Sequence, residues 1–157
     1  DAATTHRVYA ATTYHGKEVA SSSIAYGRFK DFERSTTSFS RFAQFTARDL
    51  AIGTGADALE MRVGIVSASF FAFFDAPPAI GRYFTTAEDS TPSGTPVVVL
   101  SYSYWQAQFG GRRDALGATI RIGPLVYTVI GVSPAGFAGL WSDQPPVAYI
   151  PIASYAA

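Results

Sequence analysis

The stretch VVVLSYSYWQAQFGG, residues 97–111, predicts a buried strand that passes directly into a short helix. Residues 97–100 are the β-branched and aliphatic residues typical of buried strands. Ser101 stands where a helix N-cap belongs, because its hydroxyl oxygen can accept a hydrogen bond from an unpaired N–H of the first turn. Trp105 and Phe109 lie four positions apart and share one helix face. The two glycines that follow favour the end of the helix.

A serine at a strand-to-helix turn is also typical of hydrolase nucleophiles. Such a serine needs a glycine on each side, as in G-x-S-x-G, whereas Ser101 is flanked by Leu100 and Tyr102 and has no glycine nearby. A hydrolase would further require a histidine and a carboxylate within hydrogen-bond reach, and His6 and His15 are the only histidines. The capping role is therefore favoured, with the hydrolase kept as a minor alternative.

The chain on either side of this stretch predicts short helices scattered among strands that are mostly joined by hairpins. This arrangement indicates an α+β fold with mixed or antiparallel sheets. The predicted strands cover residues 6–14, 39–47, 50–52, 59–65, 97–100, 119–122, 125–132 and 147–152. The predicted helices carry Tyr26, Phe29 and Phe32, then Phe70, Phe71 and Phe74, then Trp105 and Phe109. The first two helices have candidate caps in Ser21, Ser22 or Ser23 and in Ser67, while residues 17–23 and 133–146 are predicted loops.

The composition excludes several classes of partner. Twelve basic and twelve acidic residues cancel, so no basic field attracts nucleic acid or an anionic membrane surface. The chain has no cysteine, which excludes disulfides, thiolate nucleophiles and thiolate metal sites. No apolar run approaches the roughly 20 residues of a membrane helix, and no signal peptide is visible. We expect a chain that is soluble as a fragment and does not bind nucleic acid.

The titratable residues do not form the pattern of a known active site. His6 and His15 do not have the spacing of a metal-binding pair. Glu88 and Asp89 are adjacent, and adjacent residues do not face each other on a helix, so a helix-start or loop role is favoured over joint acid–base catalysis. The glycines of GTGAD, residues 53–57, lie between two strands and favour a hairpin turn over a phosphate cradle. We expect no catalytic residue, no cofactor and no metal.

Aromatic residues are abundant, with 12 Phe and 9 Tyr. A core rich in phenylalanine is the favoured interpretation, and an exposed face that binds carbohydrate or peptide is the alternative. Phe137, Leu140 and Trp141 form an apolar cluster in a glycine-bearing loop. The cluster is either a contact site for a partner or part of a loop that folds back over the sheet.

Several segments of the sequence, in the same order as in the family, resemble the MacB-like periplasmic core domain of FtsX-like ABC-transporter permeases. The resemblance covers nearly the whole chain and is most specific between residues 66 and 136. The matching segments are HRVYA, YGRFKDFERSTTSF, RVGIVSASFFAFFDAPPAIGRYFTTAED, PVVVLSYSYWQAQFGG, GATIRIGPLVYTVIGVSPAGFAG and VAYIPI.

The resemblance implies an extracytoplasmic, periplasmic domain of an inner-membrane protein that catalyses no reaction. In that family the domain couples movement of the membrane helices to events outside the membrane, a mode called mechanotransmission. The implied partners are the membrane helices of the permease and a cytoplasmic ATPase, with a second permease copy or a periplasmic adaptor as further candidates. The alternative function is a secreted, aromatic-rich module that binds carbohydrate or peptide.

The resemblance also implies two lobes. Residues 1–47 with residues 147–157 would form a porter-like, membrane-proximal lobe, and residues 48–146 would form an inserted second lobe. The family continues beyond the position of Ala157 with another strand–helix unit, so the membrane-proximal lobe is expected to be incomplete in this chain. Asp75 stands where relatives commonly carry a glycine, and we expect it to adopt a left-handed backbone conformation there.

Overall fold

The computed structural model describes residues 5–21, 24–92, 94–141 and 143–156. The chain divides into two compact units, Asp1–Phe39 and Ser40–Ala157. The elements of the first unit are β1 Ala10–Tyr14, β2 Lys17–Ser21 and α1 Tyr26–Ser35. The elements of the second unit are β3 Phe45–Ile52, β4 Leu59–Val66, α2 Phe70–Phe73, β5 Ile80–Gly81, β6 Val97–Leu100, α3 Tyr102–Phe109, β7 Thr119–Ile122, β8 Leu125–Val132, β9 Ala148–Pro151 and α4 Ile152–Tyr155.

The first unit contains an antiparallel hairpin of β1 and β2. His15 and Gly16 form its two-residue turn, and both have positive φ, 49° and 74°, as the tightest hairpin turns require. The predicted loop at residues 17–23 was therefore wrong, because residues 17–21 form β2. Every residue of β2 is exposed, so the strand carries no alternation of apolar and polar residues that could reveal it.

Helix α1 forms as predicted but begins without a serine cap. Its N-cap residue is Ala25, which makes no side-chain capping bond; Ser21 ends β2, and Ser22 and Ser23 lie outside the described residues. Phe29 is buried, whereas Phe32 is 38% exposed. The apolar face of α1 is therefore only partly covered.

The second unit is built on a seven-stranded mixed sheet in the order β5-β8-β6-β9-β4-β3-β7. Strand β7 pairs with β8 as well as with β3, so six strands form a ring, β8-β6-β9-β4-β3-β7. The connection between β3 and β7 consists of one residue pair, Ile52 with Ile122. We call this junction the seam of the ring. The mixed sheet and short helices confirm the predicted α+β class.

Two apolar clusters lie on opposite faces of the strands. The first contains Val98 and Leu100 of β6 and Ile65 of β4. The second contains Val97 and Val99 of β6, since alternate residues of a strand point to opposite faces. Phenylalanine and tyrosine supply much of the second cluster, namely Phe70, Phe71, Phe84 and Tyr149, in agreement with an aromatic core.

Strand β4 differs from the prediction of a half-buried strand with period two. Its first two residues are exposed and its last four are all buried. Leu59, predicted to face the core, is 65% exposed, because it lies at the end of the strand beside the turn. Gly64 is buried on the other face against Tyr149, where a Cβ atom would lie 2.7 Å from Cδ1 of the ring.

Several predicted boundaries shift in the structure. The predicted strand at residues 39–47 is regular only from Phe45, and β9 ends at Pro151, where α4 begins. Ser67 does not cap α2, whose N-cap is Ser69; instead its hydroxyl oxygen accepts a hydrogen bond from the N–H of Gln44 at 3.0 Å. Asp75 has φ of 51°, the left-handed conformation expected of it.

The two compact units have different boundaries from the two predicted lobes. Strand β9, grouped with residues 1–47 in the prediction, lies between β4 and β6 in the sheet of the second unit. The assignment of lobes to membrane-proximal and inserted positions stays a prediction.

Candidate functional site

Ser101 is the N-cap of α3, as predicted. Its Oγ accepts a hydrogen bond from the N–H of Tyr104 at 3.2 Å and lies 3.3 Å from Oγ of Ser103. The helix ends at Gly110 in the left-handed conformation. Residues 40–157 contain no histidine, so the second unit cannot assemble a Ser–His–carboxylate triad around this hydroxyl from its own side chains.

A shallow groove of about 190 Å³ lies beside the start of α3. Its walls are formed by residues 101–103 and by the loop after β8, including Phe137 and Pro145. Sites for small ligands usually measure roughly 300–1,000 Å³ and enclose most of the ligand. The groove is therefore too small to hold a ligand of ordinary size in the conformation seen.

The loop of residues 133–146 separates the three residues predicted as a partner contact. Phe137 and Trp141 pack against the second apolar cluster, with ring centroids 6.1 Å and 5.8 Å from that of Phe70. Leu140 points away and is 50% exposed. Gly139, with φ of 58°, allows the close approach, because a Cβ atom there would lie 2.9 Å from Cζ of Phe70. Of the three residues predicted as a partner contact, Leu140 is thus the most accessible.

Glu88 forms the centre of a charged turn. Arg82 donates two hydrogen bonds to its carboxylate, each of 2.8 Å. Thr85 and Glu88 form a reciprocal capping box, because the Thr85 N–H donates to Glu88 Oε2 at 2.8 Å and the Glu88 N–H donates to Thr85 Oγ1 at 3.3 Å. Mainly through Arg82, these bonds lower the pKa of Glu88 from 4.5 to about 2. Of the two predicted roles, helix start or loop, Glu88 has the loop role, because residues 86–89 form a turn and no helix.

Asp89 makes different contacts from its neighbour and is fully buried. Its Oδ2 accepts a hydrogen bond from the N–H of Ala68 at 2.9 Å, and its Oδ1 accepts one from the N–H of Ala153 at 3.0 Å. As the sequence predicted, the carboxylates of Glu88 and Asp89 therefore do not act together at one point. The bridging role of Asp89 was missed, because nothing in the local sequence indicates that this carboxylate is buried.

The tyrosines with shifted pKa values belong to the packed interior. Burial raises the pKa of Tyr83 to about 12 and raises the pKa of Tyr149 further above its ordinary value. Tyr83 donates its hydroxyl proton to the carbonyl of Ala76 at 2.7 Å. Both groups stay protonated at neutral pH, which suits packing rather than proton transfer.

The described residues contain neither a metal-binding cluster nor a membrane-spanning helix. Among them, no group of three or more His, Cys, Asp or Glu side chains is placed to hold a metal ion. None of the helices in this part of the chain has the length and apolar character needed to span a bilayer.

Residues 2–157 match the family model described as the MacB-like periplasmic core domain. Among solved structures, the fold is similar to the periplasmic region of MacB from Actinobacillus actinomycetemcomitans, with a TM-score of 0.62, 20% identity and coverage of 80% of this chain and 54% of that chain. It is also similar to the extracellular domain of the noncanonic ABC-type transporter YknZ from Gram-positive bacteria, with a TM-score of 0.64, 14% identity and coverage of 82% and 63%.

A domain of a putative permease protein from Porphyromonas gingivalis is a third similar structure, with a TM-score of 0.57, 16% identity and coverage of 87% and 56%. At these identities the similarity establishes the fold alone. The chain spans between 54% and 63% of the length of these three structures. No curated protein sequence matches it.

Proposed function

This chain belongs to the family of MacB-like periplasmic core domains, the periplasmic domains of ABC-transporter permeases, and on that premise we propose that it transmits conformational change between the membrane helices and the periplasm. The domain moves as a packed body and catalyses no reaction. Energy for the movement comes from a cytoplasmic ATPase in the parent transporter.

The observation that carries this proposal is the ring of six strands in the second unit. Strands that pair with a neighbour on both sides resist bending and separation, because each displacement breaks several backbone hydrogen bonds. The side chains of Val98, Val99 and Leu100 on central strand β6 are all fully buried, so both faces of the strand are packed. A body of this kind passes on a displacement with little internal deformation.

Three side chains that were considered for catalysis from the sequence support a role without catalysis. Ser101 caps a helix, Glu88 is held by Arg82, and Asp89 bridges two backbone N–H groups. Each of these groups stabilises the fold through the same atoms that a catalytic role would need.

Leu140 is the residue we propose as the contact with a partner in the periplasm. It is exposed on a loop whose neighbouring side chains, Phe137 and Trp141, are anchored on the aromatic cluster, so the loop presents Leu140 from a fixed base. The partner would be a second permease copy or a periplasmic adaptor. The alternative of a carbohydrate- or peptide-binding face has less support, since Trp105, Tyr127 and Tyr149 are buried.

Spin labels in the parent permease can test the proposal. The chain has no cysteine, so cysteines introduced at the exposed Leu59 and Leu140 supply unique positions once any elsewhere in the permease are replaced. The distance between these two labels should stay constant between nucleotide-free and ATP-bound states. The distance from Leu140 to a label on a membrane helix should change.

A permease with an inactive ATPase site, unable to complete its cycle, is the control. If ATP leaves the distance from Leu140 to the membrane helix unchanged in the permease with an active ATPase, the domain does not transmit movement and the proposal is wrong. A large change in the distance between Leu59 and Leu140 would instead contradict a rigid body.

A further inference from the structure

Asp89 joins two segments of the chain at the place where they leave the sheet. Strands β4 and β9 are parallel neighbours, and Val66 at the end of β4 pairs with Pro151 at the end of β9. Two residues beyond each of these ends, Ala68 and Ala153 donate their N–H groups to the two carboxyl oxygens of Asp89. One fully buried side chain therefore holds both exits together.

The turn that carries Asp89 is itself held firmly. The N–H of Asp89 donates to the carbonyl of Thr85 at 3.0 Å, and Glu88 closes the same turn through its capping box with Thr85. Arg82, beside the short strand β5, holds Glu88 from outside. We call these four residues, Arg82, Thr85, Glu88 and Asp89, the exit clamp.

The chain that follows the turn also lies against α4. Gly94 has φ of 56°, and a Cβ atom at this position would lie 2.6 Å from the backbone nitrogen of Ser154. The N–H of Thr95 donates to the carbonyl of Glu88 at 2.8 Å, which ties this segment to the clamp. Within α4 and its N-cap, the Ser154 hydroxyl donates to the carbonyl of Pro151 at 2.9 Å and the Ala156 N–H donates to the carbonyl of Ile152 at 3.1 Å.

We propose that the exit clamp fixes α4 to the sheet, so that force applied to the chain on the C-terminal side of β9 reaches the ring of strands instead of unwinding α4. The inference rests on the proposed function, because the clamp affects transmission only if the domain carries force. A helix of four residues is too short to be stable by itself. Its attachment therefore decides whether it moves with the sheet, and the bond from Ala153 to Asp89 adds to the packing of Ile152 against the first apolar cluster.

Hydrogen exchange measured by NMR on the whole chain tests the clamp. In Asp89→Asn, the side chain keeps one acceptor oxygen for two N–H donors, so the amide of Ala153 or that of Ala68 should exchange roughly tenfold faster, the effect expected when one such hydrogen bond is lost. The amide of Val129, which donates to the carbonyl of Ala118, should keep its rate. Glu88→Gln should give a smaller effect in the same direction.

Asp75→Asn is the matched control, because Asp75 is an exposed aspartate paired with Arg41 at 2.6 Å, and its exchange pattern should equal that of the native chain. Gly94→Ala disturbs α4 without changing any charge and should also accelerate exchange at Ala153. If Asp89→Asn leaves the rates at both Ala68 and Ala153 unchanged, or accelerates Val129 equally, the clamp has no local role and the inference is overturned.

The same substitution in the parent permease separates this inference from the proposed function. If labels on the native domain do not move with ATP, the proposed function fails, whatever the exchange data show. If they move in the native permease and move equally in Asp89→Asn, the function stands and the clamp plays no part in it. Loss of movement in Asp89→Asn, with Asp75→Asn unaffected, supports the clamp.

Discussion

Gly64→Ala tests the packing of β4 against β9, at the centre of the second unit. An added Cβ would lie 2.7 Å from Cδ1 and 3.2 Å from Cε1 of Tyr149, and 3.4 Å from Cγ of Pro146. Ordinary contacts of this kind are 3.4–4 Å, so the ring has to move by several tenths of an ångström. It is fully buried, so its movement displaces neighbouring side chains.

The expected cost follows from two opposing effects. Overpacking a filled interior destabilises a protein by about 1–3 kcal/mol, and replacing glycine by alanine in a strand returns about 0.5–1 kcal/mol. The net loss should be about 1–2 kcal/mol, which lowers the melting temperature by roughly 2–8 °C in a domain of this size.

Tryptophan fluorescence during urea unfolding is a suitable assay, because Trp105 and Trp141 both lie in the second unit. Gly27→Ala is the control: nothing lies within 4 Å of the added Cβ, and the change should leave the fluorescence transition of the second unit in place. Tyr149→Leu should relieve the clash, so the double variant should be more stable than the sum of the single effects predicts. A neutral Gly64→Ala would refute the packing argument.

Three further outcomes are expected. Because Arg82 holds the pKa of Glu88 at about 2 instead of 4.5, the stability from this pair should be complete above pH 4.5 and be lost as the pH falls towards 2. The loss should be about 1–2 kcal/mol after allowance for the exposed Arg82. Urea unfolding of Glu88→Gln across this pH range should not show this loss of stability. Ser101→Ala should cost about 0.5–2 kcal/mol by removing the cap of α3; an unchanged urea midpoint would contradict that role. Leu140→Ser should leave the melting temperature unchanged, whereas Trp141→Ala should lower it clearly, because removing a packed aromatic side chain typically costs roughly 3–5 kcal/mol of stability. Equal effects would show that Leu140 is also packed.

The sequence predicted the elements that depend on local chemistry. Helix α3 was recognisable because Ser101 and Gly110 mark its two ends with residues suited to a cap and to a left-handed turn. The β7–β8 hairpin was recognisable because Gly123–Pro124 separates two runs rich in branched residues. The matching sequence segments indicated the family, and the match of the family model over residues 2–157 confirms it.

Features that depend on contacts distant in sequence were not predictable from one chain. The carboxyl group of Asp89 is buried because Ala68 and Ala153 converge on it, and no pattern near residue 89 reveals either partner. Strand β2 is exposed because its neighbours do not bury it, and its sequence therefore has no alternation of apolar and polar residues. The separation of Leu140 from Trp141 depends on how the loop crosses the second apolar cluster.

The seam of the ring has a consequence for how the second unit fluctuates. Only two backbone hydrogen bonds flank the Ile52–Ile122 pair, from Gly53 N–H to the Arg121 carbonyl and from Gly123 N–H to the Ala51 carbonyl. Breaking these two bonds converts a cylinder into an open sheet at less cost than parting β3 from β4, whose ladder has eight residue pairs. Thermal breathing of the barrel should therefore begin between the two hairpin tips, and the amides of these two glycines should lose protection before those of its central strands.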